Sequence, residues 1–134
     1  MTVELTVLAW ACLFGGAQIF VAAQLATRQY GMEWGLSSRE APVPPLAPFV
    51  GRMKRAQANF LETFPIAAAA ILVVEAAHLN SRWTAIGAVV WFAARVAYLA
   101  IYAAGIPVWR SVAFAVSIAG IGMVLWPALV WPAV

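Results

Sequence analysis

Arg55, Asn59 and Glu62, in the string RAQANFLETFP, are the residues best placed to do chemistry. Their spacing of i, i+4 and i+7 puts all three on one face of a helix. The stretch that follows, Ile66 to Val74, is almost pure hydrocarbon. A carboxylate and an amide are therefore carried into a membrane, where such groups are costly and mark functional sites by default. A second stripe, Arg95, Tyr98 and Tyr102, has spacing i, i+3, i+7 and ends near Arg110. Together these residues offer guanidinium groups, one carboxylate, one amide and two phenols. Arginine binds carboxylates bidentately, Glu62 can accept an ammonium, and Asn59 can both donate and accept. The inventory reads as a receptor for a small zwitterion with more than one carboxylate. Taken singly, each residue has a plainer reading. Arg55 can snorkel to the interface, Glu62 and Arg95 can form a structural ion pair, Asn59 can bond between helices, and the tyrosines can pack. The mixed donor and acceptor character at one depth is what favours a receptor.

The elements that position these groups are membrane spans. Of 134 residues, 65% are hydrophobic and only 10% charged, against about a quarter charged in a soluble domain. One domain over residues 1–134 is expected, all-α, with spans near 4–28, 51–78, 83–104 and 108–131. The first span holds nothing ionisable but Cys12 between Glu4 and Arg28. In the second, Pro65 should bend the helix one turn after Glu62. Between spans one and two, residues 31–49 are rich in Gly, Pro and charge. Pro42, Pro44, Pro45 and Pro48 exclude a helix there, so an ordered loop at the membrane surface is expected. Trp83, Trp109, Trp126 and Trp131 suit interfacial belts.

Charge sets the orientation. Arg28, Arg39, Arg52, Lys54, Arg55 and Arg110 fall on the side of loops one and three, and only Arg82 on the other. The positive-inside rule then makes those loops cytoplasmic and both termini external. Depth brings the stripes together. Glu62 lies about 12 Å beyond Lys54, and Arg95 about 20 Å from Arg82 at the opposite face, at ~1.5 Å per residue. In a core about 30 Å thick the two depths meet, so Glu62 and Arg95 are expected to pair, directly or through a ligand.

Several classes are excluded or disfavoured. The net charge of +3 does not indicate nucleic acid, and no His or Cys pair has metal-site spacing. The start, MTVELTV, lacks the basic region of a cleavable signal. Cys12 reads as a core or lipid-facing residue. Glu75 is expected at the outer interface near Arg82, and His78 as a surface residue at the helix end.

The string RMKRAQANFLETFP resembles the second-helix signature of the MAPEG family, the membrane-associated proteins in eicosanoid and glutathione metabolism: Arg55, Asn59, Glu62, Phe64 and Pro65 stand at its positions. Arg95-Val96-Ala97-Tyr98, Tyr102 and Arg110-Ser111-Val112 continue the likeness along the chain, and the style is that of a bacterial member similar to microsomal glutathione transferases. The resemblance implies a four-helix bundle assembled as a homotrimer, with glutathione in a cleft between subunits that opens to the cytoplasm. It implies glutathione contacts at Arg28, Arg55, Asn59, Glu62, Arg95, Tyr98 and Tyr102, and a thiolate-stabilising role for Arg110. A bacterial inner membrane is the expected location, and no metal is needed. The expected partners are lipid, glutathione and a hydrophobic electrophile, which Val112, Phe114, Ala115 and Ile118 would line. The implied activity is transferase, with peroxidase action on lipid hydroperoxides. The competing expectation is a non-catalytic trimer that binds glutathione, another anionic metabolite or a lipid headgroup; a small transporter fits less well, for lack of paired broken helices. The loop at 31–49 is longer and richer in proline than the resemblance leads one to expect.

Overall fold

The computed structural model describes residues 1–130. It is built of α1 (Val3–Tyr30), α2 (Met32–Leu36), α3 (Pro48–Ala76), α4 (Arg82–Ala104) and α5 (Pro107–Val130). All but α2 are long and apolar enough to cross a membrane, and the chain is an integral membrane protein of the all-α class. Each of these four helices overlaps one of the expected spans. The last residue expected of the fourth span, Trp131, lies outside the described residues.

Helix ends follow local chemistry. Thr2 caps α1, its hydroxyl accepting from the Leu5 N–H. α3 starts at Pro48, three residues before the expected boundary, because a proline suits a first helical turn whose N–H groups have no intrahelical partner. It runs through Pro65 to Ala76 and closes in a Schellman arrangement. The His78 N–H donates to the Glu75 carbonyl and the Leu79 N–H to that of Val74. His78 is exposed there in the left-handed region, with φ 55°. Ser81 and Thr84 form a capping box at the start of α4. Gly105 ends α4 at φ 78°, where its missing side chain removes the strain, and Pro107 opens α5 at once.

The loop at 31–49 departs from expectation at both ends, since Pro48 and Phe49 already belong to α3. Met32–Leu36 form a single helical turn. The prolines begin only at Pro42, so their exclusion does not reach back to it. Trp34 packs edge-on against Tyr30, with ring centres 4.7 Å apart, and the Arg39 guanidinium lies 5.0 Å from the Trp34 ring. Between this turn and Pro48 the segment is without helix, as expected. Tyr30 donates to the Pro44 carbonyl, and the Gln29 amide both donates to the Pro45 carbonyl and accepts from the Ala47 N–H.

The core joins small residues to a few large rings. Ala67, Ala70 and Ala88 are fully buried beside Ile71 and Val74. Phe60 sits at the centre, edge-on to Phe14 at 5.4 Å and stacked on Phe64 at 5.6 Å. The crossing of α4 and α5 is set by Gly87 and Gly120. A Cβ on Gly120 would come within 2.6 Å of the Trp91 nitrogen, so nothing larger than hydrogen fits without moving backbone.

At the end of the bundle bearing Thr2 and Asn80, two carboxylates are turned inward. Glu4 is 2% exposed and accepts from the Thr84 hydroxyl. Glu75 accepts from Thr2 and Asn80. Glu75 thus lies near the start of α4, bonded to Asn80 two residues before Arg82, and forms no ion pair with Arg82 among the described residues. Nearer hydroxyl and amide donors already satisfy it.

Candidate functional site

The two polar stripes meet different fates because they stand differently to the buried faces of their helices. On α4 the buried residues include Gly87, Trp91, Ala94 and Thr84. At about 100° per residue, Arg95, Tyr98 and Tyr102 continue that same face. They are 1%, 6% and 9% exposed. On α3 the buried face is Ala56, Phe60, Ala67, Ala70, Ile71 and Val74. Asn59 lies about 70° round from its centre, Arg55 about 110° and Glu62 about 130°. Accordingly Asn59 is half-buried, while Arg55 and Glu62 are exposed.

Arg95 and Asn59 are the join. The Arg95 Nη2 donates to the Asn59 Oδ1 at 2.8 Å. The depth estimate thus brought α4 to the right level of α3, but one turn short of Glu62. Glu62 is not the partner of Arg95 in this chain; it is exposed, and the amide three residues earlier meets the guanidinium instead. Rings surround the guanidinium: its carbon lies 4.7 Å from the centre of Tyr98, 5.6 Å from Phe60 and 5.8 Å from Phe114. Cation–π attraction of this kind offsets part of the lost hydration. The Arg95 Nε and Nη1 are buried with no partner among the described residues.

Tyr102 organises the other arginines. Its hydroxyl accepts from the Arg55 Nε at 3.0 Å, and the Arg110 guanidinium carbon stands 4.7 Å from its ring. Arg52 donates from Nε to the Ala103 carbonyl at 3.0 Å, tying the first turns of α3 to the last turn of α4. Arg52, Arg55, Arg110 and Tyr102 then line a cleft of about 240 Å³ at the α4–α5 turn, with Gly105 to Pro107 as its floor. No carboxylate among the described residues lines it. A second cleft of about 220 Å³ is lined by Asn59, Tyr98, Arg110, Ser111 and Phe114. Arg110 is common to both, so a molecule lying across it meets guanidinium groups on one side and an amide, a phenol and a hydroxyl on the other.

The structure therefore draws Arg55, Asn59, Arg95, Tyr98, Tyr102 and Arg110 into one region. It leaves Glu62 and Arg28 outside both clefts, each exposed on its helix, and Arg95 also lines neither cleft, buried beside Asn59 and Tyr98 instead. Of the apolar candidates, Phe114 lines the second cleft, whereas Val112, Ala115 and Ile118 face outward. Arg52 is the member that sequence reasoning did not place, having grouped it with the interfacial charges. Its i, i+3 spacing to Arg55 was the available signal. Among the described residues no three His, Cys, Asp or Glu side chains gather as a metal site.

A bundle of four apolar helices, with an arginine-lined cleft at one end, defines a polytopic membrane protein. The chain belongs to the MAPEG family, whose model matches residues 7–130, nearly its whole length. No curated protein and no solved structure gives a significant match to it.

Proposed function

We propose that this chain is a membrane-bound glutathione transferase with peroxidase capacity toward lipid hydroperoxides. The observation that carries the reading is the pair of clefts joined at Arg110. Glutathione has two carboxylates, one ammonium and a thiol. Its carboxylates suit Arg52 and Arg55, its amides suit Asn59 and Tyr98, and Arg95, buried behind the second cleft, holds Asn59 in place. A guanidinium beside the thiol favours the thiolate. Arginine stays protonated, so Arg110 acts by charge and the proton leaves to water. The thiolate then attacks an electrophile dissolved in the bilayer. With a chlorinated nitrobenzene a C–S bond forms and chloride departs. With a hydroperoxide the sulfur takes the distal oxygen, the alcohol leaves, and a second glutathione reduces the sulfenic acid to disulfide and water.

The same reading includes a homotrimer with glutathione between subunits. Glu62 supports it. A carboxylate exposed on α3 at membrane depth is costly against lipid and is relieved if a neighbouring copy covers it. The ammonium of glutathione would then meet Glu62, and Arg28 would reach the ligand across the boundary. The lopsided basic residues support a cytoplasmic opening with external termini, in a bacterial inner membrane. The second reading, a non-catalytic trimer binding an anionic metabolite or headgroup, is favoured by the absence of any carboxylate in the Arg52 cleft. Calorimetry of glutathione binding in detergent decides first, with wild type, Asn59→Ala and Glu62→Gln compared. The reading requires micromolar to millimolar binding that both substitutions weaken. A protein that takes up no glutathione ends it, and one that binds without conjugating chlorodinitrobenzene selects the second reading.

A further inference from the structure

Arg82 is the only lysine or arginine at the end of the bundle opposite the basic cleft, and nothing in the function above uses it. It stands at the mouth of a groove of about 270 Å³ between α1 and α4 whose other walls are Val3, Ala85, Ile86, Val89 and Val90. Apart from Arg82, every lining side chain is aliphatic. From Arg82 to Val89 the groove follows α4 for about 11 Å at ~1.5 Å per residue, the length of roughly half an acyl chain. Val3, Ile86 and Val89 stay about half exposed along it.

The two carboxylates at this end do not neutralise Arg82. Glu4 is buried and bonded to Thr84, and Glu75 is held by Thr2 and Asn80. The guanidinium is exposed and has no carboxylate partner among the described residues. An unpaired cation above an aliphatic groove that descends into the hydrocarbon matches the shape and polarity of one ligand class. We propose that this groove holds an acyl chain of an anionic glycerophospholipid whose phosphate pairs with Arg82, in the leaflet opposite the basic cleft. The geometry suits it: arginine meets phosphate bidentately, and the chain is received by surface that would otherwise face loosely packed lipid. Trp83, half exposed beside Arg82, lies at the headgroup level expected of an interfacial indole.

Native mass spectrometry of the purified full chain tests this, after exchange into detergent with phosphatidylglycerol or phosphatidylcholine of identical chains. Wild type should retain phosphatidylglycerol in roughly fivefold preference, the factor contributed by one basic residue near an anionic surface. Arg82→Gln should abolish the preference while leaving glutathione binding and the helical melting curve unchanged. Val89→Trp, which fills the groove, should lower retention of both lipids. Equal retention of the two lipids by wild type overturns the proposal, as does an Arg82→Gln protein that keeps the preference. A Val89→Trp protein that changes its oligomeric state and not its lipid retention overturns it too, and assigns the groove to a second copy of the chain.

Discussion

Arg110 touches both clefts and is the residue on which binding and chemistry should separate. Its guanidinium is steadied by the Tyr102 ring at 4.7 Å, so it is held ready before any ligand arrives. Arg52 and Arg55 remain to hold the carboxylates if it is removed. Arg110→Ala should therefore lower turnover of chlorodinitrobenzene by about 10²-fold, the usual cost of losing one preorganised charge stabiliser, while the dissociation constant for glutathione changes much less. The pH profile should move in a fixed direction. A nearby cation lowers the thiol pKa, and turnover rises with pH as the bound thiol ionises. Without Arg110 that rise should occur at higher pH. Stopped-flow absorbance of the thiolate across pH measures it directly. A profile unchanged in position would remove Arg110 from the thiolate. Tyr102→Phe makes a finer separation: it keeps the ring under Arg110 and loses only the acceptor for Arg55. Binding should weaken a few-fold and the pH profile should hold.

At the scale of elements, the site depends on how α4 and α5 are held. Arg95, Tyr98 and Tyr102 come from α4, and Arg110, Ser111 and Phe114 from α5. The crossing at Gly87 and Gly120 fixes the distance between them. Gly120→Ala places a Cβ 2.6 Å from the Trp91 nitrogen and 2.8 Å from the Gly87 carbonyl oxygen, so the backbones must part. Overpacking of this order costs roughly 1–3 kcal/mol. The thermal midpoint should fall by several degrees, and glutathione binding should weaken without any site residue being touched. Gly122→Ala is the control, since nothing lies within 4 Å of its Cβ position. Spacing in the sequence placed the stripes on their helices, and the depth arithmetic paired α3 with α4 at nearly the right level. It failed by one turn, at Asn59 rather than Glu62, because the rotation of α3 about its axis was not legible. In a soluble helix the polar face marks the outside. Here small and large apolar residues stand on both faces of α3, with Ala67, Ala70 and Ile71 buried and Ile66, Ala69 and Leu72 exposed, so the apolar pattern does not mark the inner one.

For the whole molecule, the exposed stripe of α3 is the unfinished part. Glu62 and Arg55 lie on a face that also exposes Ile66, Leu72 and Val73. If a second copy covers this face, Glu62→Gln should do two things together: weaken glutathione binding and alter subunit exchange. Mixing differently tagged populations in detergent and following their co-purification measures the exchange. Unchanged exchange with weakened binding would leave Glu62 a ligand contact on an uncovered face.

Membrane residence, the four spans, the ordered proline-rich loop, the family signature and the basic bias of one end were all settled by residue types and their spacing. Each depends on transfer energies and periodicities that act along the chain. What only the tertiary structure decided is which polar groups share a cavity. Arg52 joined the cleft and Glu62 and Arg28 stayed outside it, while Glu4, which looked like the edge of a span, became a buried acceptor for Thr84. These outcomes turn on helix rotation and close approach, down to a pair of glycines. Such quantities arise between helices, where an apolar sequence facing lipid and protein alike carries almost no directional signal.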